Sequence, residues 1–227
     1  MITALPPLLT ISFIVTTLIC LWLFYRAMNG LKTAMIVFIA VMMVQGVLAA
    51  SGFYTAKDTT VPRFPFLLAP SLIILLTFVF STKGKAIIKS LSLKNLIWIH
   101  VIRIPVELLL HWLYIEKQIP RAMTYDGFNY DIISGITAPL IVAAGFTKTG
   151  YRKGLLITWN FICLILLINI VMMAIVAVES PIQQLAFTQP NRAVLYFPFV
   201  WLPACIVPVV LFAHLASLYK LFTKNNS

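Results

Sequence analysis

Acidic residues are almost missing: the 227-residue chain has six Asp and Glu against seventeen Lys and Arg. Charge of either sign is scarce, at 10% of residues, and there are only three cysteines. Each shortage excludes something. So little charge beside 61% hydrophobic residues and a mean hydropathy of +0.99 excludes a soluble domain, whose surface needs many more polar side chains. Cys20, Cys163 and Cys205 fall singly in apolar stretches without CxxC or Cys/His spacing, so they read as small apolar residues rather than metal ligands. There is no glycine-rich phosphate loop and no cluster of histidine boxes. No basic region precedes the first apolar run, so that run reads as a retained helix rather than a cleaved signal.

What the chain does have is long apolar runs. Crossing ~30 Å of hydrocarbon takes about 20 residues. Seven stretches qualify, at about 8–28, 33–53, 64–82, 93–115, 128–147, 153–178 and 194–222. The expectation is an all-α, polytopic integral membrane protein with seven transmembrane helices in one domain over 1–227, placed in the inner membrane in a bacterium.

Charge position orients those helices. With the N-terminus outside, the inner segments carry Arg26, Lys32, Lys83, Lys85, Lys89, Lys94, Lys148, Arg152, Lys153, Lys220 and Lys224, and the outer loops carry Lys57, Arg63, Lys117, Arg121 and Arg192. Eleven against five predicts N-out/C-in. Asp58, Glu116, Asp126 and Glu179 all fall in outer loops, which agrees. The formal +11 is thus a topology signal spread over short loops, and it excludes a nucleic-acid partner. Residues 83–94 read either as a basic amphipathic turn lying along the membrane or as a positive anchor.

A weak repeat is visible. Residues 64–75 and 197–208 share Phe, Pro, Phe, Pro and Ile over twelve aligned positions, and Gln45 and Asn169 each follow a glycine (Gly30, Gly154) by fifteen residues. This makes the chain a candidate 3+1+3 parallel repeat with the fourth helix as linker. The alternative is that Phe-Pro only marks interfacial helix starts.

That fourth segment carries the strongest functional signal. His100, Arg103, Glu107, His111 and Tyr114 follow at spacings of 3, 4, 4 and 3, one stripe on an otherwise apolar helix. An ionised group at mid-bilayer costs about 2.5–3.5 kcal/mol on insertion scales, so Arg103 and Glu107 need partners, water or a ligand. At four residues apart they are expected to pair with each other. Pro105 removes the hydrogen bond to the carbonyl of Val101, which is expected to leave that acceptor free.

Depth along the helices sorts the remaining candidates. The substrate-binding set is Arg103, Glu107, His111 and Tyr114, with Asn129 and Asp131 entering on the fifth segment at about the depth of His111, and Asn169 and Trp201 completing the wall. An inner polar layer is expected from His100, Asn160 and His214. His100 and His111 lie about 16 Å apart along the axis, too far to share a metal ion. Pro198, Pro203 and Pro208 predict a bent or locally unwound seventh segment.

Three functions fit these residues. A membrane carrier would use Arg103 to hold a small polar or anionic solute, with Glu107 or Asp131 taking protons. An intramembrane enzyme would use Glu107, His111 and Asp131 as acid/base groups or as ligands of one divalent metal. An accessory or sensory protein would use an Arg103/Glu107 pair only as a structural lock. The carrier reading is preferred. A retinal protein is excluded because Lys220 stands at the end of the seventh segment and not in its middle. Haem between His100 and His214 is a minor alternative, and no motif names a cofactor, a coupling ion or an oligomeric state.

Overall fold

The computed structural model describes residues 5–55 and 63–223; the predicted charges Lys57, Asp58 and Lys224 lie outside them. The helices are α1 (Pro7–Ala27), α2 (Lys32–Ala50), α3 (Pro65–Phe80), α4 (Thr82–Ser90), α5 (Leu93–Trp98), α6 (Arg103–Ile115), α7 (Ile132–Gly145), α8 (Lys153–Val176) and α9 (Val207–Thr223). Among the described residues there is no strand, only a bridge between Phe146 and Tyr151. Among the described residues five helical spans are long and apolar enough to cross a membrane, and six if the bent pair α3 and α4 is counted as one.

Local chemistry explains the boundaries. α1 opens on Pro7, whose missing N–H costs nothing at a helix start. It closes where Asn29 (φ 51°) and Gly30 (φ 74°) take the left-handed conformation and the Gly30 N–H returns to the carbonyl of Tyr25. At Ser81 the chain turns by 79° into α4, and the Ser81 hydroxyl accepts from the Gly84 N–H. The basic residues 83–89 therefore form a separate amphipathic helix. α5 and α6 are joined by a 3₁₀ turn, Ile99–Ile102, immediately before Pro105. The ring of Pro105 cannot donate and crowds the turn behind it, so the backbone tightens. The Arg103 N–H that ends this turn bonds the carbonyl of His100, three residues back, as a 3₁₀ turn requires.

Two predicted segments begin later than expected. The fifth starts at Ile132 rather than 128, because the Asn129 side chain accepts from the Asp131 N–H and holds the chain in a turn. The seventh starts at Leu202 rather than 194, after turns through Tyr196 to Val200. As expected it is locally unwound: Leu202–Ile206 is a π-helical turn leading into α9.

In lipid there is little hydrophobic drive between helices, so packing and polar contacts hold the bundle. The prolines show how. Pro70 leaves the carbonyl of Phe66 without its helical donor, and Gln45 of α2 donates to it at 3.1 Å. Pro208 does the same to Ala204, and Ser71 of α3 donates to that carbonyl at 2.6 Å. The repeat-related pair behaves differently: the Phe199 carbonyl, freed by Pro203, accepts from the Leu202 backbone, and Asn169 donates to Phe128.

α9 and the α5–α6 span are the centre of the bundle, with 72% and 61% of their apolar windows buried, whereas α2 and α8 are perimeter helices at 22% and 28%. Phe13, Phe24 and Phe38 pack with Phe199 and Phe212 around α9. Loop contacts define two ends. Asn29 donates to the Ser90 carbonyl and the Lys94 ammonium lies over the Phe146 ring, which gathers the basic loops at one end. At the other, Arg192 meets Glu179 and Arg121 meets Asp126, both exposed.

Candidate functional site

The stripe on the fourth segment faces inward, with His100 0%, Arg103 2% and Glu107 1% exposed. Its register holds through the 3₁₀ turn because three residues per turn shift the stripe by only a fraction of a turn. α7 comes unusually close to it. A Cβ at Gly135 would sit 2.8 Å from a side-chain carbon of Ile104 and 3.0 Å from its backbone nitrogen. Only a residue without a side chain permits that approach, which brings Asp131 to Arg103.

Arg103 does not pair with Glu107 as expected. Its Nη1 donates to Asp131 Oδ1 at 2.6 Å and to the Cys163 carbonyl at 3.2 Å, and its Nη2 donates to His214 Nε2 at 2.9 Å. The i, i+4 spacing allows an intrahelical pair, but Asp131 offers a carboxylate straight across a glycine contact, and both side chains are buried (3% and 6% exposed). The Ser134 hydroxyl supports the same Asp131 oxygen at 3.4 Å.

The guanidinium fixes the neighbouring histidine. Arginine can only donate, so His214 Nε2 is an acceptor and its proton sits on Nδ1, which donates to Asn160 Oδ1 at 3.0 Å. Asn160 in turn donates to the Leu156 carbonyl at 2.8 Å. His100 lies against His214 with ring centroids 4.1 Å apart and against the edge of Trp159 at 5.2 Å, and neither of its ring nitrogens has a hydrogen-bond partner among the described residues. The sequence-predicted inner layer thus meets in space and joins the stripe through Arg103. Rings stacked this closely leave no room for a porphyrin between them, and the haem alternative fails on that geometry.

Glu107 has a different partner. Asn129 donates to its Oε2 at 2.6 Å, using the same amide nitrogen that bonds the Met123 carbonyl at 3.1 Å, while the Asn129 oxygen takes the Asp131 N–H at 3.1 Å. Asn129 therefore ties the Glu107 carboxylate to the backbone of Asp131 through one turn. Among the described residues no cation forms an ion pair with Glu107.

The other predicted wall residues lie elsewhere. His111 is half-buried and stacks on Tyr125 at 4.7 Å, with Tyr114 at 6.0 Å. Asn169 is exposed and donates to the Phe128 carbonyl; Trp201 donates to the Met42 carbonyl. Asp131 sits at the level of Arg103, deeper than the level of His111 that was expected. Among the described residues no group of three His, Cys, Asp or Glu could hold a metal ion, so Glu107, His111 and Asp131 do not form the ligand set considered above.

A cavity of about 70 Å³ lies beside this network. Arg103, Glu107 and Asp131 line it, and every other lining residue is apolar. Sequence reading missed this apolar wall, which comes from Leu68 of α3, Leu167 to Ile175 of α8 and the segment from Leu202 to Val210. Its only signal was the expected unwinding at Pro203 and Pro208. The space compares with ~10–15 Å³ needed for one water, so it holds several waters or part of a small molecule.

No curated protein and no solved structure matches the chain. A family model does match, over residues 60–222, the stretch that contains the whole Arg103, Glu107, Asn129, Asp131, Asn160 and His214 network. The chain belongs to that family, described as "Domain of unknown function (DUF8737)".

Proposed function

We propose that this protein is a membrane carrier for a small solute, and that the solute sits in the cavity beside Arg103, Glu107 and Asp131. The observation that carries this reading is an otherwise apolar space with three ionisable side chains on one wall. Ionisable groups are costly in a bilayer, and facing a cavity is how they are normally accommodated at solute and ion pathways. The π-helical turn at Leu202–Ile206 borders the same space, and irregular backbone at membrane depth is tolerated where it lines a cavity.

The proposal includes seven crossings, with α7 as the shortest and α3 bent at its end. It also includes an inside location for the end that carries Arg26, Lys83, Lys85, Lys89, Lys94 and Lys220, supported by the excess of basic residues there. The 3+1+3 repeat rests on the twelve-position alignment and on the contact between the aligned positions Ser71 and Ala204.

An accessory role has its own support. Both terminal nitrogens of Arg103 are satisfied within the protein, as a structural lock requires. The lock leaves the cavity, and a Glu107 that has no ion-pair partner among the described residues, without a purpose, so the carrier reading is preferred. Reconstitution into vesicles tests it. Uptake of labelled small amines, carboxylates and neutral solutes is compared for wild type, Glu107→Gln and Ala174→Phe, the last placing an aromatic ring in the α8 wall. Solute uptake that both substitutions abolish is expected; uptake no faster than in protein-free vesicles for every class would overturn the carrier.

A further inference from the structure

The charges around the cavity do not cancel. Arg103 and Asp131 form a close pair at 2.6 Å, and His214 is held in its neutral Nδ1–H form between the Arg103 donor and the Asn160 amide oxygen that accepts from it. Glu107 is left over: its hydrogen-bond partner is an amide nitrogen, among the described residues no cation lies within ion-pair distance of it, and the one arginine nearby is already paired with Asp131. A carboxylate in an apolar wall without a counter-charge is strongly disfavoured unless a cation or proton joins it. An anionic solute would meet an arginine already paired with Asp131, left with only a buried Nε–H that lacks a partner among the described residues, and a carboxylate that repels it.

The route in is also marked. Leu68 on α3, Val171, Ala174 and Ile175 on α8, and Pro203 and Val207 between them are lining residues that keep partial exposure. α8 is a perimeter helix and α3 buries only four of its sixteen residues, which points the cavity toward the membrane-facing surface between them. A space of about 70 Å³ is roughly half that of an engineered apolar cavity known to take benzene, so it admits a head group and a few carbons, with any longer tail lying in the bilayer.

We propose that the ligand is a hydrophobic ammonium, its cationic head on Glu107 and its carbon chain running out between α3 and α8 into the lipid. This rests on the cavity being a solute site and adds the class of solute. Arg103 then acts as the fixed positive end that keeps Asp131 from competing for the head. The ammonium is carried either by a free amine or by an aminophospholipid.

Isothermal titration of the full-length protein in phosphatidylcholine nanodiscs, corrected for empty discs, separates these ideas. The probes are hexylammonium, hexanoate and hexanol. Hexylammonium binding at least tenfold tighter than the other two, lost by tenfold or more in both Glu107→Gln and Ala174→Phe, is the expected result. If Glu107→Gln cannot be recovered folded, the Ala174→Phe comparison and the probe ranking still decide the matter. Hexanoate or hexanol binding as tightly as hexylammonium would overturn the ammonium and leave the cavity as a site. No binding of any probe would overturn both. Weakened hexylammonium binding in discs containing phosphatidylethanolamine assigns the head to a lipid, and unchanged binding assigns it to a free amine; both outcomes support the class.

Discussion

Replacing Asp131 with Asn removes one charge and almost no volume, which isolates the electrostatic part of the Arg103 contact. The two side chains are 2.6 Å apart and 3% and 6% exposed, so water cannot substitute for the lost carboxylate. Breaking a buried pair by deleting one partner costs about 3–5 kcal/mol because the other charge remains buried and uncompensated. The remaining donations to His214 and the Cys163 carbonyl are to neutral acceptors and keep the guanidinium in place. We therefore expect Asp131→Asn to destabilise the protein by about 3 kcal/mol or more, and the double substitution Arg103→Met with Asp131→Leu to cost less than the single one. The double substitution still leaves His214 Nε2 without a donor, at about 1–3 kcal/mol, whereas the Cys163 carbonyl keeps its helical partner within α8. Reversible unfolding in mixed micelles, followed by tryptophan fluorescence, measures both. A loss below about 1 kcal/mol for Asp131→Asn, or a double variant worse than the single, would refute the claim that the pair is charged and dry.

Ser71→Ala should destabilise by about 1–2 kcal/mol in the same unfolding assay, because the Ala204 carbonyl loses its substitute donor. At Gly135, a valine should cost about 1–3 kcal/mol or more by forcing α7 away from Ile104, and retention of full stability would show that the close approach is not required. Single cysteines at Lys89 and Lys117 should react with a membrane-impermeant maleimide from opposite sides in sealed vesicles, Lys117→Cys from outside; labelling of both from one side would contradict the proposed orientation.

Composition alone was enough to read an all-helical membrane protein, and the span from Leu93 to Ile115 was legible to the residue because its apolar run ends where charges begin. The buried stripe was legible for a similar reason, as helical periodicity survives a short 3₁₀ turn. Its pairing was not. Sequence spacing lists the neighbours a residue has on its own helix, and Arg103 chose a partner brought by the packing of Gly135 on Ile104. The depth of Asp131 was misjudged because counting from a presumed start at 128 ignores the turn that Asn129 builds. Prolines announced which carbonyls would be freed at Phe66 and Ala204, but the donors, Gln45 and Ser71, are set by helix rotation. The cavity was illegible for the plainest reason: its walls are ordinary Leu, Ile and Val, indistinguishable in sequence from those that face lipid.

Under the proposal above, Glu107 borders a space reachable from the bilayer and has no ion-pair partner among the described residues. A hydrophobic carbodiimide, which enters membranes and forms a stable adduct with an accessible protonated carboxyl group, tests this directly when the modified residues are mapped by mass spectrometry. We expect the adduct at Glu107, little at the paired Asp131, and a large drop in Ala174→Phe. An unmodified Glu107, or a yield unaffected by Ala174→Phe, would show that the carboxyl does not face a space open to the bilayer.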